Sequence, residues 1–366
     1  MQREPPTHGR GVYRLLTLLA AACGGSPIDP ASRASDGLIF VRRVAASSEL
    51  ARARIADGTL RSVTRTPDRE EAWPYWSEPA GQVVFEVSAA GSGAQSDLVL
   101  WDPRTGNEVP LAATPARDER WPDWAPGRPA FVFAFRGGDP PSGIAIFENA
   151  SGSATLVARG GERDFFLRPS WSKDGARIVA QRRAADGSGS SLWIAEPGRQ
   201  ARALTADPAW FDWKPFFTRD GSEVVFSRRP ASDGPGVIAV IATGGGEPRV
   251  VPLEEGADLH SARPSPTRNE IAFVAERDGA AVVFLADLAD GSARALTRAA
   301  ERQAFAPRWS PDGERLVVTT TPPGTPMPRL ADPDGLAQTQ LLVLDREGHE
   351  LFETPGMMPD WMPAWR

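Results

Sequence analysis

Several residue types are scarce in this chain, and each shortage removes a class of function. One cysteine, Cys23, stands in 366 residues. No intrachain disulfide can form, so stability must come from a buried core. Three histidines, His8, His260 and His349, are too few for a multi-histidine metal centre. No metal ligand set and no cofactor motif is legible, although a carboxylate-only calcium site stays open. No phosphate loop or dinucleotide fingerprint occurs. No Gly-x-Ser-x-Gly elbow occurs either, and no room is left for a hydrolase domain, so no catalytic residue can be assigned. Lysine appears only as Lys173 and Lys214, and nearly all of the 41 basic residues are arginine. The formal charge of −6 argues against duplex nucleic acid, which needs a basic face. The longest apolar run, Leu15 to Ala22, is too short to cross a bilayer, which takes about 20 residues. No helical periodicity of useful length appears in the body of the chain.

Glycine and proline are abundant, at 35 each, and they punctuate short segments of Val, Ile, Leu and Phe at regular intervals. That pattern predicts an all-β protein. The start differs. Arg3, Arg10 and Arg14 precede the run Leu15 to Ala22, and Cys23 follows the small residues at once. Residues 1–22 therefore read as an export signal. The segment resembles a bacterial lipoprotein signal, which implies that Cys23 becomes the lipidated first residue. Ordinary cleavage and secretion is the alternative. Residues 23–35 read as a flexible tether and residues 36–366 as the folded domain. The expected location is the cell envelope, with membrane contact only through the lipid.

The folded region repeats. Ala306 to Val318, "APRWSPDGERLVV", has Pro-x-Trp, a Ser-Pro-Asp-Gly turn, and an apolar strand seven residues after the Trp. The same skeleton recurs with Trp76, Trp124, Trp171, Phe217, Pro264 and Trp309 in the Trp place, at spacings of 48, 47, 46, 47 and 45. A second strand in each repeat ends in a glycine turn, and a short strand follows, twice as Arg-Ala-Leu-Thr (Arg202–Thr205 and Arg294–Thr297). Each unit thus has four short strands, A to D, with Pro-x-Trp on A. Proline, aspartate and glycine in the A–B turn serve turn geometry. This repetition makes Ser310 and Asp312 structural. The Trp rings are expected to fill the wedge between neighbouring units.

The Pro-x-Trp-Ser-Pro-Asp-Gly pattern resembles the TolB-type, WD-like propeller repeat of bacterial envelope proteins. The resemblance covers nearly all of residues 36–366 and is closest around Trp171 and Trp309. It implies a β-propeller without the α/β domain that precedes the propeller of TolB. The family it points to includes TolB, propeller domains of prolyl-oligopeptidase-type enzymes, and many lipoproteins. Strands B (from Leu38), C and D at the start lack a strand A, and Pro363-Ala364-Trp365 at the end lacks a B. Pairing the two gives seven blades, with both termini in one sheet and Trp365 in the seventh Trp place; six blades is the alternative. The last unit also carries an insertion between B and C, Thr319 to Gln338.

The D–A connections hold the candidate binding residues: Glu71, Arg120, Arg163, Trp210, Asp212, His260 and Arg302. Each has a plainer reading as solvated rim charge or an Arg–carboxylate pair, and His260 as an ordinary loop histidine. The expected function is a non-catalytic, monomeric envelope lipoprotein that binds an envelope protein or peptide on its loop-rich face. The alternative is a channel-mouth lyase or lactonase acting on a sugar or peptide with a metal held by rim carboxylates such as Glu71 and Asp212.

Overall fold

The computed structural model describes residues 36–44, 47–90, 95–111, 117–253, 256–327 and 333–363. The export signal, Cys23, the tether and Trp365 lie outside the described residues. Among the described residues the chain is β throughout, apart from one short helix, Pro333–Ala337. The strands form five sheets, three of them four-stranded. Each of the other two has eight strands and consists of two four-strand runs. A single parallel bridge joins those runs, Ser48 to Glu70 in one sheet and Ser190 to Phe211 in the other.

Each four-strand run follows the order A–B–C–D. The A strands are Arg69–Ser77, Asp118–Trp124, Asp164–Trp171, Trp210–Phe217, Asp258–Pro264, Gln303–Trp309 and Met357–Met362. B and C are buried on both faces, as a continuous apolar run such as Val83-Val84-Phe85 requires. The hydrophobic clusters straddle neighbouring runs. Leu192, Ile194 and Leu204 of one run, for example, pack with Phe217, Val224 and Phe226 of the next. One run cannot bury its own faces, so stability comes from stacking neighbours. The threonine of Arg-Ala-Leu-Thr has a defined role. Leu192 N donates to Thr205 Oγ1 and Val283 N to Thr297 Oγ1, which ties D back to C.

The A–B turns confirm the geometric reading of Ser-Pro-Asp-Gly. Ser310 Oγ donates to Asp312 Oδ1 at 2.5 Å and accepts from Arg315 N at 2.9 Å. Gly313 has φ +73, and a Cβ there would collide with Thr267 of the neighbouring unit.

The ends of the chain meet as expected, but in a different register. Met357–Met362 pairs with Gly37–Val44, and Trp361 stands opposite Leu38. In every other unit the Trp place stands opposite the matching B residue: Trp76 faces Val83, Trp124 faces Phe131 and Trp309 faces Leu316. Trp361 therefore holds the place that the spacing gave to Trp365. The tail carries two Pro-x-Trp triplets, Pro359-Asp360-Trp361 and Pro363-Ala364-Trp365, and spacing alone could not choose between them. Burial chooses. Trp361 is 4% exposed among Leu38, Phe40, Val317 and Val343. Its Nε1 donates to the Arg308 carbonyl at 3.2 Å. The insertion before it also folds inward. Leu336 of the helix packs on Ile39, Met357 and Met362, so that part of the loop braces the closing strands.

Candidate functional site

Every A strand breaks its pairing with B at the same point, where three A residues span two on B. Each break is a β-bulge, and a non-glycine residue sits there in the left-handed region. These are Trp73, Trp121, Arg168, Lys214, Ser261, Ala306 and Met358, with φ between 49 and 58. The recurrence makes the strain a property of the architecture, held by the pairing on either side. A bulge bends the strand and re-aims its side chains. A strands of several units meet at two cavities, one at the A–B turn end and one at the opposite end.

The cavity at the turn end has a volume of about 630 Å³, with Trp76, Trp171, Phe217, Trp309 and Trp361 in its wall. The wall is therefore built partly from the Trp place itself. These rings pack between units and also show an edge to the cavity. Deeper in, Arg308 pairs with Asp360 at 2.5 Å and lies over the Tyr75 ring at 4.5 Å. Asp360 Oδ2 accepts from Trp76 N, and Asp123 Oδ2 from Trp171 N, both at 2.8 Å. Burial pushes the Asp123 carboxyl up to about 6.

The cavity at the opposite end, on the side of the B–C and D–A connections, has a volume of about 610 Å³. Arg168, Arg183, Lys214, Arg229 and His260 line it with Trp121, Phe165, Phe211 and Trp213. Arg168 lies 5.2 Å from the Trp73 ring and 6.0 Å from Trp121. Lys214 Nζ donates to Ser261 Oγ at 2.7 Å, and that hydroxyl stands 2.9 Å from His260 Nδ1. His260 Nε2 lies 3.6 Å from Glu276. Burial, helped by the charges of Arg168 and Arg263, pushes the Lys214 amine down to about 7. Burial and Lys214 also lower His260. Arg263, over the Phe216 ring at 3.8 Å, is pushed down to about 9 by burial and then by Arg308 and Arg168.

Of the residues singled out from the sequence, the structure brings only His260 to this cavity. Glu71 is fully buried and accepts from Leu50 N at 2.8 Å, Thr64 Oγ1 at 2.5 Å and Arg69 Nη2 at 2.6 Å. Asp212 is buried and paired twice with Arg228, at 2.9 and 3.2 Å. Neither carboxylate belongs to an exposed rim; both fasten one unit internally or to its neighbour. Arg120 is held by Asp118 at 2.8 Å, and Arg302 by Glu353 at 2.8 Å and Glu350 at 3.2 Å. Trp210 lies under Arg228 at 4.7 Å, and Arg163 is exposed to solvent. Most of what read as D–A loop is the first half of strand A, because the bulge hides its alternation. Among the described residues no three His, Cys, Asp or Glu side chains converge as a metal site would require.

The sequence reading missed Arg168, Lys214 and Ser261. A signal for them existed. They stand three residues before the Trp place, in a column whose chemistry changes from unit to unit while the residue after it is proline in six of the seven units.

No protein-family model matches the sequence, and no curated protein matches it. Solved structures do match in shape. A structure from a study of two prolyl endopeptidases aligns at TM-score 0.66 and 13% identity, over 90% of this chain and 49% of that one. The chain thus spans about half the length of that enzyme. TolB from Acinetobacter baumannii aligns at TM-score 0.52 and 15% identity, over 90% and 83% of the two chains. An oligogalacturonate lyase in complex with manganese aligns at TM-score 0.61 and 13% identity, over 85% and 82%. At such identities these likenesses establish the fold alone: the chain is propeller-like, with structural similarity to TolB-type and prolyl-oligopeptidase propeller domains.

Proposed function

We propose that the chain is a seven-bladed propeller that acts as a non-catalytic binding scaffold for a protein or peptide in the bacterial cell envelope, anchored through Cys23. The blade count is supported by seven inner strands that share one bulge, the last of them paired to the first B strand. Closure of this kind removes free sheet edges. The binding reading is carried by the cavity of about 610 Å³ on the loop-rich side, where aromatic rings and charged side chains meet. A photocrosslinking residue in place of exposed Ser188, beside that cavity, tests it. The expected result is a discrete adduct with an envelope protein, and no such adduct from the same probe at Leu351 on an outer D strand. Equal or no labelling at both positions would refute the reading.

A second reading, a channel-mouth enzyme, draws on the hydrogen-bonded chain from Lys214 through Ser261 to His260. The form with a metal on Glu71 and Asp212 loses support, because both carboxylates are already engaged.

A further inference from the structure

We infer that the loop-side cavity is a receptor for carboxylates, and that its ligand is the acidic segment of a peptide whose side chains reach Lys214 and Arg168. The inference rests on the scaffold reading above and names the chemistry its partner must present. The net charge of the chain is negative, yet among the described residues the wall of this cavity holds three arginines, a lysine and a histidine and no aspartate or glutamate. A single-sign cleft with low-dielectric walls focuses the field and draws in the opposite charge.

The wall is also poor in acceptors. Ser190 Oγ already accepts from Gln181 at 2.8 Å and donates to the Asp212 carbonyl at 2.6 Å. Arginine and lysine can only donate. Of the neutral side chains described in the wall, Gln181 keeps its amide oxygen and Ser190 one lone pair, so a ligand rich in hydroxyl donors finds few side-chain partners. A ligand rich in acceptors finds many. This favours carboxylates over the hydroxyl-covered face of a sugar.

Arg168 makes no ion pair among the described residues and rests instead on aromatic faces. Among the described residues Lys214 has only the Ser261 hydroxyl. By contrast, Arg308 at the turn-end cavity keeps its Asp360. Arg168 and Lys214 in this cavity therefore lack a carboxylate among the described residues, and an incoming carboxylate would supply the missing partner. At the rim Arg229 lies against Phe211 and Trp213, at 5.8 and 5.9 Å, so charge and apolar contact are offered together. An acidic segment interspersed with aromatic or aliphatic residues satisfies both.

The test is calorimetric titration of the folded chain with a tetraglutamate peptide, a tetraglutamine peptide and a tetrameric uronate. Tetraglutamate is expected to bind at least about tenfold tighter than tetraglutamine, and more weakly as salt rises. Lys214→Met should lower that affinity by about tenfold or more. Because Lys214 is enclosed, the exposed pair Arg183→Gln and Arg229→Gln serves as a second variant, with the same direction and an unchanged melting temperature. Equal binding of the two peptides, or unchanged affinity in the rim variant, would overturn the inference. Uronate binding without peptide binding would overturn the choice of a peptide. If the Ser188 adduct forms equally in wild type and rim variant, the scaffold reading stands and the carboxylate inference falls.

Discussion

The two cavities share three inner strands, Asp164–Trp171, Trp210–Phe217 and Asp258–Pro264, yet they differ in kind. At the turn end one position repeats: Trp76, Trp171, Phe217, Trp309 and Trp361 stand in equivalent places and meet around one cavity. At the loop end the position three residues earlier repeats only in backbone conformation. Its side chains are Trp73, Trp121, Arg168, Lys214, Ser261, Ala306 and Met358. Constancy marks the positions that join units. Trp124, Trp309 and Trp361 each donate from Nε1 to a carbonyl of the preceding unit. Variation marks the positions released from that duty, and these carry the charge. The bulge separates the two roles: it fixes the backbone by pairing and leaves the side chain free to be chosen.

This contrast can be tested, beginning with its largest expected effect. Trp361→Ala removes the ring that packs the closing strand against Leu38 and Val317. It should cost about 3–5 kcal/mol, read by chemical denaturation. A loss below about 1 kcal/mol would mean that the turn end does not hold the ring shut. Asp360→Ala strips Arg308 of its carboxylate and Trp76 N of its acceptor. A loss of about 3 kcal/mol is expected, since it leaves a buried cation unpaired.

At the loop end Lys214→Met should have the opposite character. The folded amine is pushed down to about 7 from its ordinary 10.5 by burial and by Arg168 and Arg263. The folded chain therefore binds fewer protons than the unfolded chain between those values. Stability should rise with pH across that window and level off below it. The methionine variant should lose this part of the slope, as followed by denaturation midpoints from pH 7 to 10. Tetraglutamate binding should strengthen in wild type as pH falls from 8 to 6, because Lys214 gains its proton. Arg168, Arg263 and His260 face the amine; burial and Lys214 hold His260 below its ordinary value, so Lys214 carries most of this change. The smallest effect belongs to the rim. Arg302→Ala breaks ion pairs with Glu350 and Glu353, which are about half exposed, and should change stability by less than about 1 kcal/mol.

How far the fold could be read follows from how often each signal repeats. Pro-x-Trp and Ser-Pro-Asp-Gly recur, so chance resemblance averages out and the four-strand unit is legible. Trp361 was misread because the last unit is a single instance with an insertion before it, and two triplets compete within "MPDWMPAWR". Glu71 and Asp212 were misread for another reason. Their acidic, loop-like surroundings suggested solvent, whereas strand A had already begun and turned both side chains inward onto Thr64, Arg69 and Arg228.

The sequence by itself determined the unit, its strand order and the need for neighbours to stack, because these depend on local turns and on apolar segments that no single unit can bury. Tertiary structure alone decided the closing register and the composition of the two cavities. Arg168, Lys214 and His260 are far apart along the chain, and only the convergence of separate inner strands gathers their charges around one cavity. Whether a carboxylate is a free rim charge or a buried fastener depends on which way a strand faces, and that is set by the partner across the sheet.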